Sequence, residues 1–273
     1  MDSSAHATPA PSAHPLPRVA LITGGAKRLG RAMALALAAD GWDIGIHYGQ
    51  SDIEARQTVA DIQALGRRAV ALQAPLEDAD ACLQLIPRLN AALGPVCGLV
   101  NSASRFVYDD IETLTPRSLE EHLRPNLMAP LLLSQSLARQ LAAHPDAPDG
   151  VIINLLDQKL GNLNPDFLSY TLSKAALAAS TTMLAQALAP RIRVVGIAPG
   201  LTLPSYLQDD AAFDYAHRTL SPLGASSTAE DIAASVVFAM RTRSITGSIL
   251  TVDGGQHLLG LARDASLITT HKP

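Results

Sequence analysis

The chain has 273 residues, 48% hydrophobic and 17% charged, with a formal net charge of −4. These proportions describe a globular chain with a sizeable core and exclude a disordered one. A mildly acidic balance without a basic stripe gives no reason to expect a nucleic-acid partner, no apolar run has the length of a membrane span, and no His/Cys/carboxylate cluster has metal-ligand spacing.

Residues 1–17, "MDSSAHATPAPSAHPLP", lack the cationic start and long apolar run of a signal peptide, and their Pro, Ala and Ser content predicts a disordered tail. From residue 18 short apolar runs alternate with helical patterns. A strand over 19–23 leads through "GGAKRLG" into a helix over 29–39, which Asp40-Gly41 stops. A strand over 44–47 precedes a helix over 53–65 that ends at Gly66; a strand over 69–73 precedes one over 79–93 that ends at Gly94-Pro95. Next come a strand over 98–101, a helix over 118–143, a strand over 151–155, a helix over 169–188 and a strand over 192–197. Residues 201–225 interrupt the alternation as an irregular or short-helical flap. Thr228, with Asp231 three residues on, predicts the start of a helix over 229–240, and a last strand covers 249–252. The first six strands are rich in Val, Ile and Leu, as suits strands buried on both faces of a parallel sheet. The expected architecture is one α/β domain over 18–273, a Rossmann-type doubly wound parallel sheet of about seven strands with helices on both faces. Cys82 and Cys97, the only cysteines, are too far apart in sequence for a metal or redox pair and fit a reducing cytoplasm.

Two stretches carry chemistry. Gly24, Gly25 and Gly30, after the first strand and before a helix, leave backbone room for a pyrophosphate and aim helix N–H groups at it, although a tight strand-to-helix turn reads the same way. An acidic residue for an adenosine ribose belongs about 20 residues further on. That region is "IHYGQS", with no carboxylate before Asp52, so nothing there repels a 2′-phosphate. Ser51 offers a hydroxyl, unless it merely caps the next helix, and Lys27 and Arg28 offer charge. NADP(H) is therefore preferred, with NAD(H) not excluded. The second stretch is "YTLSK": Tyr170 and Lys174, four apart on a helix, meet on one face. A neighbouring ammonium favours phenolate, so the expectation is a Tyr170 pKa below the usual value near 10.

In order along the chain, "TGGAKRLG", "NSAS" at 101–104, "NLMAP" at 126–130, Tyr170-x-x-x-Lys174, "APG" at 198–200 and "DGG" at 253–255 resemble the short-chain dehydrogenase/reductases over residues 18–258. The resemblance implies an NAD(P) hydride carrier, a small-molecule substrate and a homotetramer, in the cytoplasm to which the two cysteines point. By it, Tyr170 is the proton donor, Lys174 holds the nicotinamide ribose, and Asn126 supports a proton-relay water. It also implies cofactor contacts at Gly24, Lys27, Arg28, Leu29, Tyr48, Ser51, Leu76, Asn101, Ala103, Lys174, Pro199 and Gly200.

Two departures narrow the resemblance. The Ser usual 13 residues before the catalytic Tyr is Asp157, and the third loop glycine is Arg28. Both are similar to the pteridine reductases and the bacterial dihydromonapterin/dihydrofolate reductases, which pair an Asp with the Tyr and reach the cofactor phosphate and the pterin with the loop Arg. Phe106, in "SASRF", stands where those enzymes stack an aromatic on the pterin. Arg28, Phe106, Asp157 and Tyr170 are the implied substrate contacts. Gln50 stands where an Arg often precedes the Ser, and Pro75 and Leu76 replace the Asp that contacts adenine, leaving backbone, packing or Glu77 to hold it. The expected reaction is reduction of a pterin, dihydropterin or dihydrofolate C=N bond by NADPH. A carbonyl reductase (3-oxoacyl or small ketone) is the alternative, and a non-catalytic NADP-binding regulator a third reading that the intact Asn126, Tyr170 and Lys174 oppose.

Overall fold

The computed structural model describes residues 18–268; the expected disordered tail, 1–17, lies outside the described residues. Seven strands, β1 (Val19–Ile22), β2 (Asp43–Tyr48), β3 (Ala69–Gln73), β4 (Val96–Asn101), β5 (Gly150–Leu155), β6 (Ile192–Pro199) and β7 (Ile249–Val252), form one sheet in the order 3-2-1-4-5-6-7. Every neighbouring pair is parallel. β1, β2, β4 and β5 are buried along their whole length, which is why they read as predominantly apolar runs.

Helices cover both faces. On one side α1 (Arg28–Ala39) and α8 (Ala229–Arg241) set Met33, Leu37 and Val236 against Ile22, Ile44 and Ile46. On the other, α3 (Ala79–Leu93) and α5 (Ala129–Ala143) set Leu85, Leu89, Leu133 and Leu137 against Leu21, Leu99 and Ile152. Each such side chain contributes about 1.5–3 kcal/mol relative to exposure. α2 (Asp52–Ala64) and α6 (Leu168–Leu188) complete the two layers. The strand order reverses between β1 and β4, and the crevice beyond their carboxyl ends is where this architecture holds ligands.

One expected element is corrected. Residues 118–143 are not one helix: α4 (Pro116–Leu123) gives way to a π-turn (Arg124–Met128) before α5. Thr115 and Ser118 form a capping box with Pro116 in the first turn, so the helix begins before 118. Pro130 has no amide hydrogen to give the carbonyl of Asn126 four residues earlier, and the backbone widens so that the Ala129 N–H reaches the carbonyl of Arg124. The flap carries a short helix, α7 (Asp210–Thr219), capped by Asp209 on the N–H of Ala212 at 2.7 Å. Thr228 caps α8 and Asp231 returns the bond.

Candidate active site

The loop after β1 is wired to its neighbours. Thr23 Oγ1 accepts the N–H groups of Ser102 and Ala103 at 2.9 and 3.1 Å, pulling the "NSAS" turn against the end of β1. Gly24 sits at φ +64°, and a Cβ on Gly30 would lie 2.1 Å from the Gly24 carbonyl oxygen, so α1 can start this close to the loop only with glycine there. Buried His47 accepts the Gly24 N–H at Nδ1 (3.2 Å), and its Nε2 meets the Ala74 carbonyl at 3.0 Å, which assigns the proton to Nε2. Burial pushes its pKa down. Arg28 occupies the place of the third loop glycine with φ +53°, a left-handed backbone that L-residues avoid. Its guanidinium donates to the Pro204 carbonyl at 2.9 Å and so touches the flap.

These elements frame a cavity of about 510 Å³. At one end Gly24, Lys27, Arg28 and Leu29 line it from the loop, with Tyr48 and Ser51 from the end of β2. Ser51 sits at the N-cap of α2 without a side-chain capping bond, so its hydroxyl is not spent there. Asp52 is turned aside, accepting Tyr48 Oη at 2.7 Å and Arg56 Nε at 2.8 Å. Ala103, Pro199 and Gly200 continue the wall, and Phe106, Asp157, Tyr170 and Lys174 line the other end.

Tyr170 donates to Asp157 Oδ2 at 2.6 Å, a distance expected of a charge-assisted bond. Asp157 Oδ1 takes the N–H of Lys159 at 2.8 Å. Lys174 Nζ donates to the Leu155 carbonyl at 2.7 Å and lies 5.8 Å from the Tyr170 ring centroid. Burial pushes the Asp157 carboxyl up, against the downward pull of the Tyr170 bond. Burial, then the Asp157 charge, pushes the Tyr170 phenol well above its ordinary value. Burial lowers the Lys174 ammonium to about 8. The expectation of a lowered Tyr170 pKa is therefore corrected: burial, with the carboxylate at bonding distance, outweighs an ammonium held by a backbone carbonyl. Tyr170 stays protonated at neutral pH, which a proton donor needs.

Tyr170 owes its position to a residue with no local signal. The N-cap of α6 is Phe167, left-handed at φ +54° and without a capping side chain. Asp109, far off in sequence and buried, supplies the cap instead, accepting the N–H of Ser169 at 2.9 Å. Phe106 stacks on Phe167 with centroids 4.2 Å apart and stands edge-on to Tyr170 at 4.7 Å.

Three sequence-selected residues do not line the cavity. Leu76 is buried in the core beside α3. Asn101 donates to Asn154 at 2.8 Å, and Asn154 to Thr181 at 3.0 Å, stitching β4, β5 and α6 together. The Asn126 amide grips the Arg105 backbone (2.8 and 3.0 Å) and Ser173 (2.9 Å), and Pro130 has no N–H to give its carbonyl. Sequence reading missed His47, Asp109, and the cavity-lining Asp264, Ala265 and Ser266. Among the described residues no group of His, Cys, Asp and Glu is arranged to hold a metal ion, and no helix is long and apolar enough to cross a membrane.

A family model of short chain dehydrogenases matches residues 18–213. The structure is similar to that of the FolM alternative dihydrofolate reductase 1 of Brucella canis complexed with NADP, with a TM-score of 0.82 and 37% identity over 89% of this chain and 95% of that one. An uncharacterised oxidoreductase of Methylorubrum extorquens is 32% identical over 249 residues, 87% of this chain and 97% of its own length. The 3-oxoacyl-[acyl-carrier-protein] reductase FabG of Staphylococcus aureus is 29% identical over 244 residues, 88% of this chain and 98% of its own length.

Proposed function

Because the chain belongs to the short chain dehydrogenase family and is an oxidoreductase, we propose that it reduces a C=N bond of a pterin, dihydropterin or dihydrofolate-type ring with NADPH. The observation that carries this reading is the 2.6 Å bond between Tyr170 and Asp157 at the inner end of the cavity. A ketone oxygen needs polarising, which a hydroxyl does; a ring C=N needs a proton on nitrogen, which a carboxyl behind the phenol resupplies.

The loop fits a dinucleotide. Its glycines keep side chains out of the cradle, Lys27 and Arg28 line it, and Ser51 presents a hydroxyl with no carboxylate facing it. Lys27, Arg28 and Ser51 are the proposed holders of a 2′-phosphorylated cofactor, as the NADP in the Brucella relative supports. NADPH supplies the hydride when bound. The chain's own residues move the proton. Tyr170 gives its proton to the ring nitrogen, and Asp157, which accepts that phenol at 2.6 Å, is proposed as the carboxylate through which the phenol regains a proton from solvent after turnover. Lys174 keeps a positive charge beside the phenol, and the Asn126 carbonyl is the acceptor proposed to steady a relay water. Phe106 offers an aromatic face for the substrate ring. The assembly we propose is a cytoplasmic homotetramer, and light scattering at other than four chain masses would correct it.

The test is a panel of dihydrobiopterin, dihydromonapterin, dihydrofolate, a 3-oxoacyl thioester and a small ketone, followed at the NADPH absorbance. Turnover of at least one ring substrate is expected. Turnover of the carbonyl compounds alone would replace this reading with carbonyl reduction, which the FabG relative favours.

A further inference from the structure

A buried lysine stands two residues beyond Asp157. Lys159 is 3% exposed, and its ammonium reaches Asp264 Oδ2 at 2.7 Å, across 105 residues of chain. It also donates to Asn164 and lies 5.9 Å from the Phe167 ring centroid. Its backbone N–H is the one that Asp157 Oδ1 accepts. On the far side, Asp264 Oδ1 takes both the N–H and the hydroxyl of Ser266, at 2.9 and 2.7 Å, winding the segment around the carboxylate. Asp166 grips the same segment, accepting Arg263 Nε at 2.8 Å and the Asp264 N–H at 2.7 Å. Asp264, Ala265 and Ser266 all line the cavity.

Burying an ammonium and a carboxylate together costs desolvation that their attraction only about offsets, so such a pair adds little net stability and its use lies in fixing one geometry. Here the geometry joins the turn that carries Asp157 to a segment at the end of the chain. The Lys159 N–H on Asp157 and the Lys159 ammonium on Asp264 together set the segment beside Asp157, at the end of the cavity that Tyr170 lines. We infer that residues 264–266 are the specificity-determining wall of the substrate half of the cavity, and that the Lys159–Asp264 pair positions this wall against Asp157. The inference rests on reading the cavity as that of a reductase. Ala265 is the gauge of the wall: its single methyl sets how far a substrate ring extends. Lys159 and Asp264 are positioning residues, and the charged or titratable groups around Asp157 are Tyr170 and Lys174 on α6, Lys159 on its own turn, and Asp264 on the segment, with the Arg263–Asp166 pair beyond.

Three measurements on the full chain test this, using whichever panel substrate the wild type reduces. Ala265→Leu is expected to raise KM about tenfold or more while the NADPH Kd stays within about twofold; an unchanged KM overturns the wall. Lys159→Met leaves the Asp264 charge unpaired beside Asp157, and Asp264→Asn leaves the Lys159 charge. The limbs of the kcat–pH profile should therefore move up in the first variant and down in the second, and return towards wild type in the double Lys159→Met/Asp264→Leu. Shifts in the same direction, or none, overturn the positioning role. Hydrogen exchange needs no turnover: amides 263–268 should exchange faster in Lys159→Met while β1, β4 and β5 stay protected, and unchanged exchange overturns the clamp. A wild type that reduces only ketones would end the pterin reading yet leave all three measurements decisive. A wild type inert on the whole panel would leave the exchange experiment to decide.

Discussion

Replacing Arg28 by glycine and, separately, by alanine isolates the backbone of the nucleotide loop from its guanidinium. At φ +53° an L-residue carries a strain of roughly 1–2 kcal/mol. Glycine relieves it but loses about 0.5–1 kcal/mol of extra chain entropy on folding. Both variants lose the exposed bond to the Pro204 carbonyl, about 0.5–1.5 kcal/mol. Arg28→Gly should therefore lie within about 1 kcal/mol of wild type, and Arg28→Ala, which keeps the strain, about 1 kcal/mol below the glycine variant. A hydrogen bond to a charged phosphate contributes about 1.5–3 kcal/mol, so both should weaken NADPH by a similar factor, on the order of 10- to 100-fold. Urea unfolding gives the first comparison and NADPH fluorescence titration the second. The reasoning fails if the alanine variant is the more stable, or if neither loses affinity; in the latter case Arg28 serves only the flap.

Tyr170→Phe should lower kcat roughly 10²–10⁴-fold with NADPH affinity retained, since only the proton donor is removed. It also leaves buried Asp157 one donor short, so the variant should unfold about 1–3 kcal/mol more easily; a kcat near wild type would remove Tyr170 from the role. For Lys174 the folded pKa of about 8 lies below its ordinary 10.5. Between those values the unfolded chain keeps a proton that the folded chain releases, so stability from this group rises with pH, and below pH 8 its contribution is constant. The stability of wild type relative to Lys174→Met should thus climb from pH 8 to pH 10.5; parallel curves would mean that Lys174 is not desolvated.

How much of this was legible in the sequence depends on how local each cause is. The β4 and β5 strands were readable because burial on both faces writes a mostly apolar run. Thr228 and Asp231 announced α8 because a capping box is contained in four residues. The break between α4 and α5 had its signals, Pro125 and Pro130, but the apolar pattern on either side stays helical in period, so the expected helix ran straight through. In the site, Tyr170 and Lys174 were visible as one helical turn, and Asp157 through the resemblance, as the residue standing where a Ser is usual 13 before the Tyr. Their protonation was not, since the pKa of Tyr170 follows its burial and the Asp157 bond rather than the Lys174 spacing. Asp109 capping α6 and Asp264 meeting Lys159 act across 60 and 105 residues, and no short motif records such a partnership.

That last distance also sets an order of events during synthesis. The glycine loop and the "NSAS" turn leave the ribosome first, and the Asp157, Tyr170 and Lys174 group follows. The partner of Lys159 comes nearly a hundred residues after α6 begins. The loop after β1 and the turn after β4 are thus made well before Asp264, Ala265 and Ser266, which line the same cavity. The Lys159 ammonium cannot reach its pairing until Asp264 has been made. A product clipped before Arg263 would keep every residue of the nucleotide loop and lose the carboxylate that pairs with Lys159.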